Sequence, residues 1–364
     1  MTAQARKVLA EEAVKFVDHR VPCIVHIASA NFAEAIELAK HAEAVGADAI
    51  SAIPPMFFAY DANDVYNYYK AIAEAVTIPV IVYYNPNAGF NMNAGIAAKR
   101  VSGKPLVVHM HATSFDRGSV DNIDTRVYEI ERTGMHAADR VIAVSNLTRN
   151  IIIDKYAVPA ERVVTVHNAV RFSSKETEAP ERGVKDKIVT FLGRITFQKG
   201  PDYFVEAAAK VLKRVPNVRF VMAGSGDMMN HVIRRVARLG ISDRFHFTGF
   251  LRGDDVHKMF QLSDVYIMPS VSEPFGISPL EAMRANVPSI ISKQSGVAEV
   301  LDYAVKVDYW DVDSMADAIY GLITYPALSK MFAQKGLEEV TNLKWNDAAK
   351  KVKKVYEDAI ASVK

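Results

Sequence analysis

The chain has 364 residues, half of them hydrophobic and 24% charged, with 44 basic against 42 acidic side chains and a formal net charge of +2. That length predicts two domains of roughly 100 to 200 residues each, and the balanced charge excludes the basic footprint of a nucleic-acid-binding protein. A single cysteine, Cys23, excludes an internal disulfide and cysteine-based zinc sites. No apolar run reaches the ~18 residues of a membrane helix, and the opening MTAQARKVLAEEAVKFV has no signal-peptide hydrophobic region. A cytoplasmic location is expected.

From the N-terminus, the β-rich runs VPCIVHIAS, ADAISAIPP and IPVIVYYNP alternate with segments of helical period. Asn31 is suited to cap the second helix and Gly46 to follow its end, with Ile36, Ala39, Ala42 and Val45 as the apolar stripe. The third helix places Val65, Tyr69, Ile72 and Val76 on one face. Strands apolar along their whole length predict a parallel sheet covered on both sides. Only Gly46 and Gly89 of the 18 glycines fall in the first 92 residues, so this stretch lacks the phosphate-cradling loop that opens a Rossmann-type domain.

After NPNAGFNMNAG the alternation continues: PLVVHMHAT as a strand, Asp121 to Ala138 as a helix, RVIAVS as a strand, NLTRNIIIDKY as a helix and RVVTVHNAV as a strand. Residues 173–187, SSKETEAPERGVKDK, are polar, charged and nearly free of apolar side chains, the composition of a linker. A second βα series follows, with strands in KIVTFLGR, VRFVMAGSG, RFHFTGFL, DVYIMPS and PSIISK, and the helix WNDAAKKVKKVYEDAI closes the chain.

Four segments of this second series carry chemistry. GRITFQKG sets Gly193, Arg194 and Lys199 between a strand end and a helix start, where open α/β sheets bind ligands, and two cations there suit a diphosphate. AGSGD, with Gly224, is a further glycine turn, and FTGFL, with Phe250, ends a third strand in the same way. SEPFGISPLEAM holds Glu273 and Glu281, with Gly276 permitting close backbone approach and Ser278 as a candidate N-cap of the helix that bears Glu281. Paired carboxylates also serve glycoside hydrolysis, but a hydrolase gains nothing from Arg194 and Lys199, whereas expulsion of a nucleoside diphosphate needs them.

Earlier in the chain, HMHATSFDRG brings together His109, His111, Asp116 and Arg117. Two histidines at i, i+2 point to one side of a strand, but no third metal ligand stands nearby, and substrate contact is the better reading. The clusters Arg234, Arg235, Arg238 and Lys350, Lys351, Lys353, Lys354 read first as solvated helix faces and second as a peripheral contact to an anionic membrane surface.

From about Ala94 to the C-terminus the chain resembles the family 4 retaining nucleotide-sugar glycosyltransferases, through KPLVVHMHATSFDRG, AADRVIAVSNLT, VVTVHNAV, FLGRITFQKG, AGSGD, FTGFL and EPFGISPLEAM. The resemblance implies an α/β GT-B fold of two Rossmann-like domains with parallel sheets. It implies that Arg194 and Lys199 hold the donor diphosphate, that Glu281 meets the ribose and Glu273 the donor sugar, that His111 faces the transferring sugar, and that Phe250 lies near the base. The donor is a substrate, and no cofactor or metal is implied. The partners implied are a nucleotide-sugar donor and a sugar or lipid-linked acceptor, with no nucleic acid.

Residues 1 to about 92 instead resemble the middle of a TIM barrel of the N-acetylneuraminate lyase and dihydrodipicolinate synthase superfamily, with Tyr84-Asn85-Pro86 resembling its catalytic-tyrosine strand. The strand expected to bear that family's Schiff-base lysine reads PLVVHMHAT and has none, so aldolase chemistry is not expected. The organisation expected is a chimera: an N-terminal α/β domain over 1–172 whose first 92 residues are a grafted TIM-barrel (βα) fragment, a linker over 173–187, a nucleotide-sugar-binding domain over 188–343, and a helix over 344–364 crossing back. The function expected is retaining hexosyl transfer, with a folded but inactive chimeric scaffold as the alternative and a pyruvate-dependent lyase behind it.

Overall fold

The computed structural model describes residues 1–53, 62–82, 92, 95–96, 99–100, 103–117, 123–170 and 180–362. Tyr84-Asn85-Pro86, Gly89, Asp121 and the first part of the expected linker lie outside the described residues. The chain divides into two compact units, Met1–Val108 with Asp124–Val141 and Glu357–Lys364, and His109–Ile123 with Ile142–Tyr356.

The first unit opens with helix Ala3–Val17, followed by strands β1 (Ile24–His26), β2 (Ala49–Ala52) and β3 (Val80–Val82), which pair in parallel in the order β1-β2-β3. Helices Phe32–Ala44 and Ala62–Ala75 are the crossovers. Asn31 caps the first of these, its side chain accepting from the backbone N–H of Ala33 and Glu34. Gly46 ends it at φ +87°, where Ala47 N–H bonds Ala42 O and Gly46 N–H bonds Glu43 O, the paired bonds of a Schellman motif. The buried stripe of this helix is Ala35, Leu38, Ala39 and Ala42; Ile36 and Val45 flank it. Val65, Tyr69, Ile72 and Val76 are all buried, as their spacing predicts.

Coverage of this sheet differs from expectation. Ile27, Ile50 and Ala52 pack with the helices, yet Ile24 and Ile81 stand exposed. Val25, Ile50, Ala52, Val80 and Val82 share one face of the sheet and pack with the helices, whereas Ile24 and Ile81 lie on the other, so apolar strand composition did not mean cover of every strand residue.

Strands β4 (Val107–Met110), β5 (Arg140–Ala143) and β6 (Val163–Thr165) form a second three-stranded sheet in that order. The helix between β4 and β5 runs Thr125–Ala137, later than its expected start at Asp121. Asp124 is its cap, accepting from the N–H of Arg126 and Val127. Helix Asn146–Tyr156 begins where expected, with the Ser145 hydroxyl accepting from Thr148 N–H.

The second unit is built on six parallel strands, β7 (Lys187–Leu192), β8 (Val218–Ala223), β9 (Phe245–Gly249), β10 (Val265–Met268), β11 (Ser289–Ser292) and β12 (Val305–Val307), in the order β12-β11-β10-β7-β8-β9. Both faces are buried. Val189, Phe191, Phe220, Val265 and Ile267 face one apolar cluster with helices Pro201–Arg214 and Val312–Thr324. Tyr266, Met268 and Ile291 face a second cluster with Leu280 and Met283 of helix Ser278–Arg284. Winding on both faces makes the chain order reverse between β7 and β10, and crevices at such reversals take ligands. Helix Trp345–Ala361 closes the described chain, and among the described residues no helix is long and apolar enough to cross a membrane.

Phe204 is fully buried, with ring centroids 5.6 to 5.8 Å from those of Phe191, Phe220 and Phe245. Phe204→Ala is expected to lower stability by about 3–5 kcal/mol through lost burial and the cavity left behind. Urea denaturation followed by circular dichroism measures it.

Candidate functional site

β7 ends at Leu192, and Gly193 to Lys199 carry the chain over the C-terminal edge of the sheet to Gly200 and the helix that Pro201 opens. β10 ends at Met268 beside it, followed by Pro269 to Glu273. These two loops are zipped together: Val271 N–H donates to Gln198 O at 2.9 Å, and a Cβ on Gly200, at φ +66°, would lie 2.0 Å from Pro269 O. Only glycine lets the backbones pass so closely.

Beside this seam, β8 and β9 end against the β7 loop. Gly193 N–H donates to Ala223 O at 3.0 Å and Gly224 N–H to Gly249 O at 2.8 Å. A Cβ on Gly224, at φ +138°, would fall 1.8 Å from Gly193 O. The glycine turns singled out in the sequence thus hold neighbouring strand ends in register. Beyond them Phe250 is 65% exposed, with the Arg252 guanidinium 5.2 Å from its ring centroid.

The charged residues divide into two kinds. The Lys199 ammonium is in direct contact with the Glu273 carboxylate. Arg194 is exposed and hydrogen-bonds the neutral Gln198 Oε1 at 3.2 Å. Glu273 is 7% exposed, its N–H donating to Gln294 O and its carbonyl accepting from Gly296 N–H. Gly276, at φ +98°, lies under it, where a Cβ would come 3.1 Å from Glu273 Cγ. The hydroxyl oxygens of Thr196 and Ser270, one in each loop of the seam, are buried and make no hydrogen bond. Groups of that kind are uncommon outside functional sites.

Ser278 does not cap the helix bearing Glu281. It is the first helical residue, with Ile277 at the cap position and Pro279 after it, and its hydroxyl accepts from Tyr266 OH at 2.8 Å. Tyr266, buried on β10, also reaches Leu192 O at 3.4 Å, so one phenol joins the ends of β10 and β7 to the Glu281 helix. Burial pushes its pKa up, with the charges of Glu273 and Glu281 adding to the effect; both carboxylates therefore act on this one hydroxyl. Burial likewise raises the Glu281 carboxyl above its usual range, opposed by the Arg284 charge.

His111 follows β4, stacked on His109 with ring centroids 4.4 Å apart. Surrounding protein lowers the pKa of both, that of His109 to about 4 with the His111 charge contributing, so the pair is neutral at pH 7. Five residues beyond His111, the buried Asp116 accepts from Thr113 N–H at 2.7 Å, from Thr113 Oγ1 at 2.9 Å and from Ser272 Oγ at 2.8 Å. That last bond ties the histidine segment to the residue before Glu273. The structure thus joins Lys199 with Glu273, Gly193 with Gly224, and Gly276 with Glu273, while Arg194, Phe250 and His111 make their own separate contacts. Gln198, Ser272 and Tyr266 are the participants that sequence reading missed. The side chain of Gln198 meets Arg194 only four positions away, but its carbonyl meets Val271 across the seam, and the partners of Tyr266 and Ser272 lie 12 to 156 positions away; only the weak signal of a polar residue near a motif marks them.

Two family models match: Glycosyl transferases group 1 over residues 173–339, and the Dihydrodipicolinate synthetase family over residues 1–134, past the residue 92 at which that likeness was expected to end. An uncharacterised glycosyltransferase of Methanocaldococcus jannaschii is 28% identical over 284 residues, 73% of this chain and 72% of that protein. The alpha-D-kanosaminyltransferase of Streptomyces kanamyceticus is 28% identical over 252 residues, 65% of each chain. This chain spans about half the length of other curated relatives, including a D-inositol 3-phosphate glycosyltransferase of Salinispora tropica, of which it covers 52%.

Among solved structures, sucrose-phosphate synthase of Thermosynechococcus elongatus superposes with TM-score 0.70 at 18% identity, over 88% of this chain and 91% of that one. HepE of Anabaena, solved with UDP and glucose, gives TM-score 0.67 at 17% identity over 92% and 99%.

Two substitutions test the seam. Gly224→Ala forces a left-handed side chain onto the Gly193 carbonyl and is expected to cost at least about 3 kcal/mol. Gly240→Ala, at φ +69° with nothing within 4 Å of the added carbon, is expected to cost only about 1 kcal/mol; paired urea titrations compare them. Glu281→Gln tests the buried carboxyl. Because its folded pKa is raised, the folded state holds that proton more tightly than the unfolded chain, and stability falls as pH climbs through the window above the ordinary carboxyl range. The glutamine variant is expected to melt higher than the parent at pH 7, with the difference shrinking as pH falls towards 4. The sheet order and the shared fold show a chain of α/β GT-B-like fold with parallel sheets, whose residues 173–339 match the glycosyl transferases group 1 model.

Proposed function

We propose that the protein is a retaining glycosyltransferase that moves a hexose from a nucleoside diphosphate sugar to an acceptor hydroxyl. The observation that carries this reading is the placement of Arg194, Lys199, Glu273 and Glu281 along the C-terminal edge of one parallel sheet at its reversal point, inside the domain that matches glycosyl transferases group 1. In the reaction the bond from the anomeric carbon to the phosphate oxygen breaks, its electron pair leaving with the diphosphate, while the acceptor oxygen bonds to the same face of the carbon and its hydroxyl proton passes to the departing phosphate oxygen. Arg194 and Lys199 stabilise the departing diphosphate, Glu273 accepts from donor-sugar hydroxyls, Glu281 accepts from the ribose, Phe250 lies near the base, and His111 faces the transferring sugar as a neutral imidazole.

HepE, solved with UDP and glucose, makes UDP-sugars the first donors to assay. The acceptor class is a sugar or a lipid-linked sugar, and the site of action is the cytoplasm, with the basic faces around Arg234 and Lys350 read first as solvated and second as a contact to an anionic membrane surface. We also read the first unit as derived from a TIM-barrel (βα) fragment, which the match over residues 1–134 and its one-sided parallel sheet support. β4, Val-Val-His-Met, offers no amine for a Schiff base.

Removing one charged contact to a developing oxyanion costs about 10²–10³-fold in turnover. Arg194→Ala and Lys199→Ala are each expected to reduce kcat for donor consumption by that factor, read by release of the nucleoside diphosphate. Unchanged turnover in both would remove the diphosphate assignment.

A further inference from the structure

We propose that Glu273 is a built-in competitor for Lys199, so that the site selects a diphosphate capped by a sugar over the free nucleoside diphosphate. The proposal rests on the donor-site reading above and adds a discrimination step to it.

Of the two cations that flank the seam, only Lys199 is neutralised in the described structure. Its ammonium contacts the Glu273 carboxylate, with side chains 20% and 10% exposed, and a pair so withdrawn from water interacts more strongly than a surface pair. Arg194 has the neutral Gln198 as its partner and makes no ion pair among the described residues. The carboxylate therefore stands against Lys199 as a phosphate oxygen would, while Arg194 is left to an incoming anion.

Glu273 is also the fixed member of the pair. Its N–H and carbonyl are bonded to Gln294 and Gly296, its neighbour Ser272 is held by the buried Asp116, and its Cγ lies over Gly276. Lys199 has four methylenes and ends a single 3₁₀ turn. A ligand that recruits Lys199 thus draws the ammonium away and leaves the carboxylate in place.

What the ligand presents to that carboxylate then decides the outcome. A sugar-capped diphosphate carries one charge per phosphate and offers neutral hydroxyl donors, so the stranded carboxylate gains new partners. A free nucleoside diphosphate carries an additional charge on its terminal phosphate and no hydroxyl at that end, so the carboxylate meets like charge. The same contact that admits the donor thereby favours departure of the spent nucleotide.

The test is calorimetric titration of the wild type and Glu273→Gln with UDP, GDP and their glucose and mannose esters, with circular dichroism confirming the fold. Glu273→Gln is expected to bind the free diphosphate at least about tenfold more tightly than wild type, with a smaller gain or a loss for the sugar ester. Equal shifts for both ligands, or weaker binding of the free diphosphate, would overturn the proposal. Should the glutamine variant fail to fold, the wild type alone decides: it must bind the sugar ester more tightly than the free diphosphate, and the reverse order refutes the idea. Binding of neither ligand class by either folded protein would refute the donor-site reading itself.

Discussion

Between β7 and β10 the parallel sheet turns back on its own order, and the loops leaving those two strands can meet only because Gly200 offers no side chain where the Pro269 carbonyl passes. The rest of the second unit depends on that close approach. It sets Gln198 against Val271, brings Lys199 to Glu273, and leaves the Tyr266 hydroxyl within reach of both Leu192 and Ser278. Steric permission at one glycine thus becomes electrostatic geometry several residues away. The same logic repeats at Gly224 against Gly193, where a left-handed backbone and a missing Cβ keep neighbouring strand ends at hydrogen-bonding distance.

The charge arrangement that results is economical. Two cations, one partnered carboxylate and one buried carboxylate share a strand edge, and each is held by a different constraint. Glu273 is fixed through its backbone and packing, Glu281 by a short helix with Tyr266 at its start, and Arg194 only by a neutral amide. A buried carboxyl such as Glu281 lowers stability wherever it is charged. Retention of such a group at a strand edge is understandable if it meets a ligand hydroxyl, and unexplained if it only fills space.

The first unit follows other rules. Its sheet takes its strands in sequential parallel order, and the apolar side chains of Ile24 and Ile81 are exposed. A sheet in sequential order has no reversal point among its described strands, and only two glycines fall in the first 92 residues. The candidate site lies in the second unit, at the reversal of its strand order.

Local rules made much of this legible. Asn31 and Gly46 act through neighbours two or three residues away, so their capping roles can be read from short spacing. The α/β alternation and the cluster of Arg194, Lys199, Glu273 and Glu281 rest likewise on period and motif. Reading failed where a competing local rule won: a serine before Pro279 looked like a cap, but Ile277 took that position and Tyr266 claimed the hydroxyl. It failed also where cover depends on which face a residue takes in the sheet rather than on composition, as for Ile24 of β1 and Ile81 of β3. What the sequence by itself determined is the class of fold and the candidate residues at its strand ends. Only the tertiary structure decided that Lys199 is already paired with Glu273, that Asp116 holds Ser272 and that Tyr266 joins two strand ends to a helix, because each of those contacts spans 12 to 156 residues of chain and exists only once the strands have taken their order in the sheet.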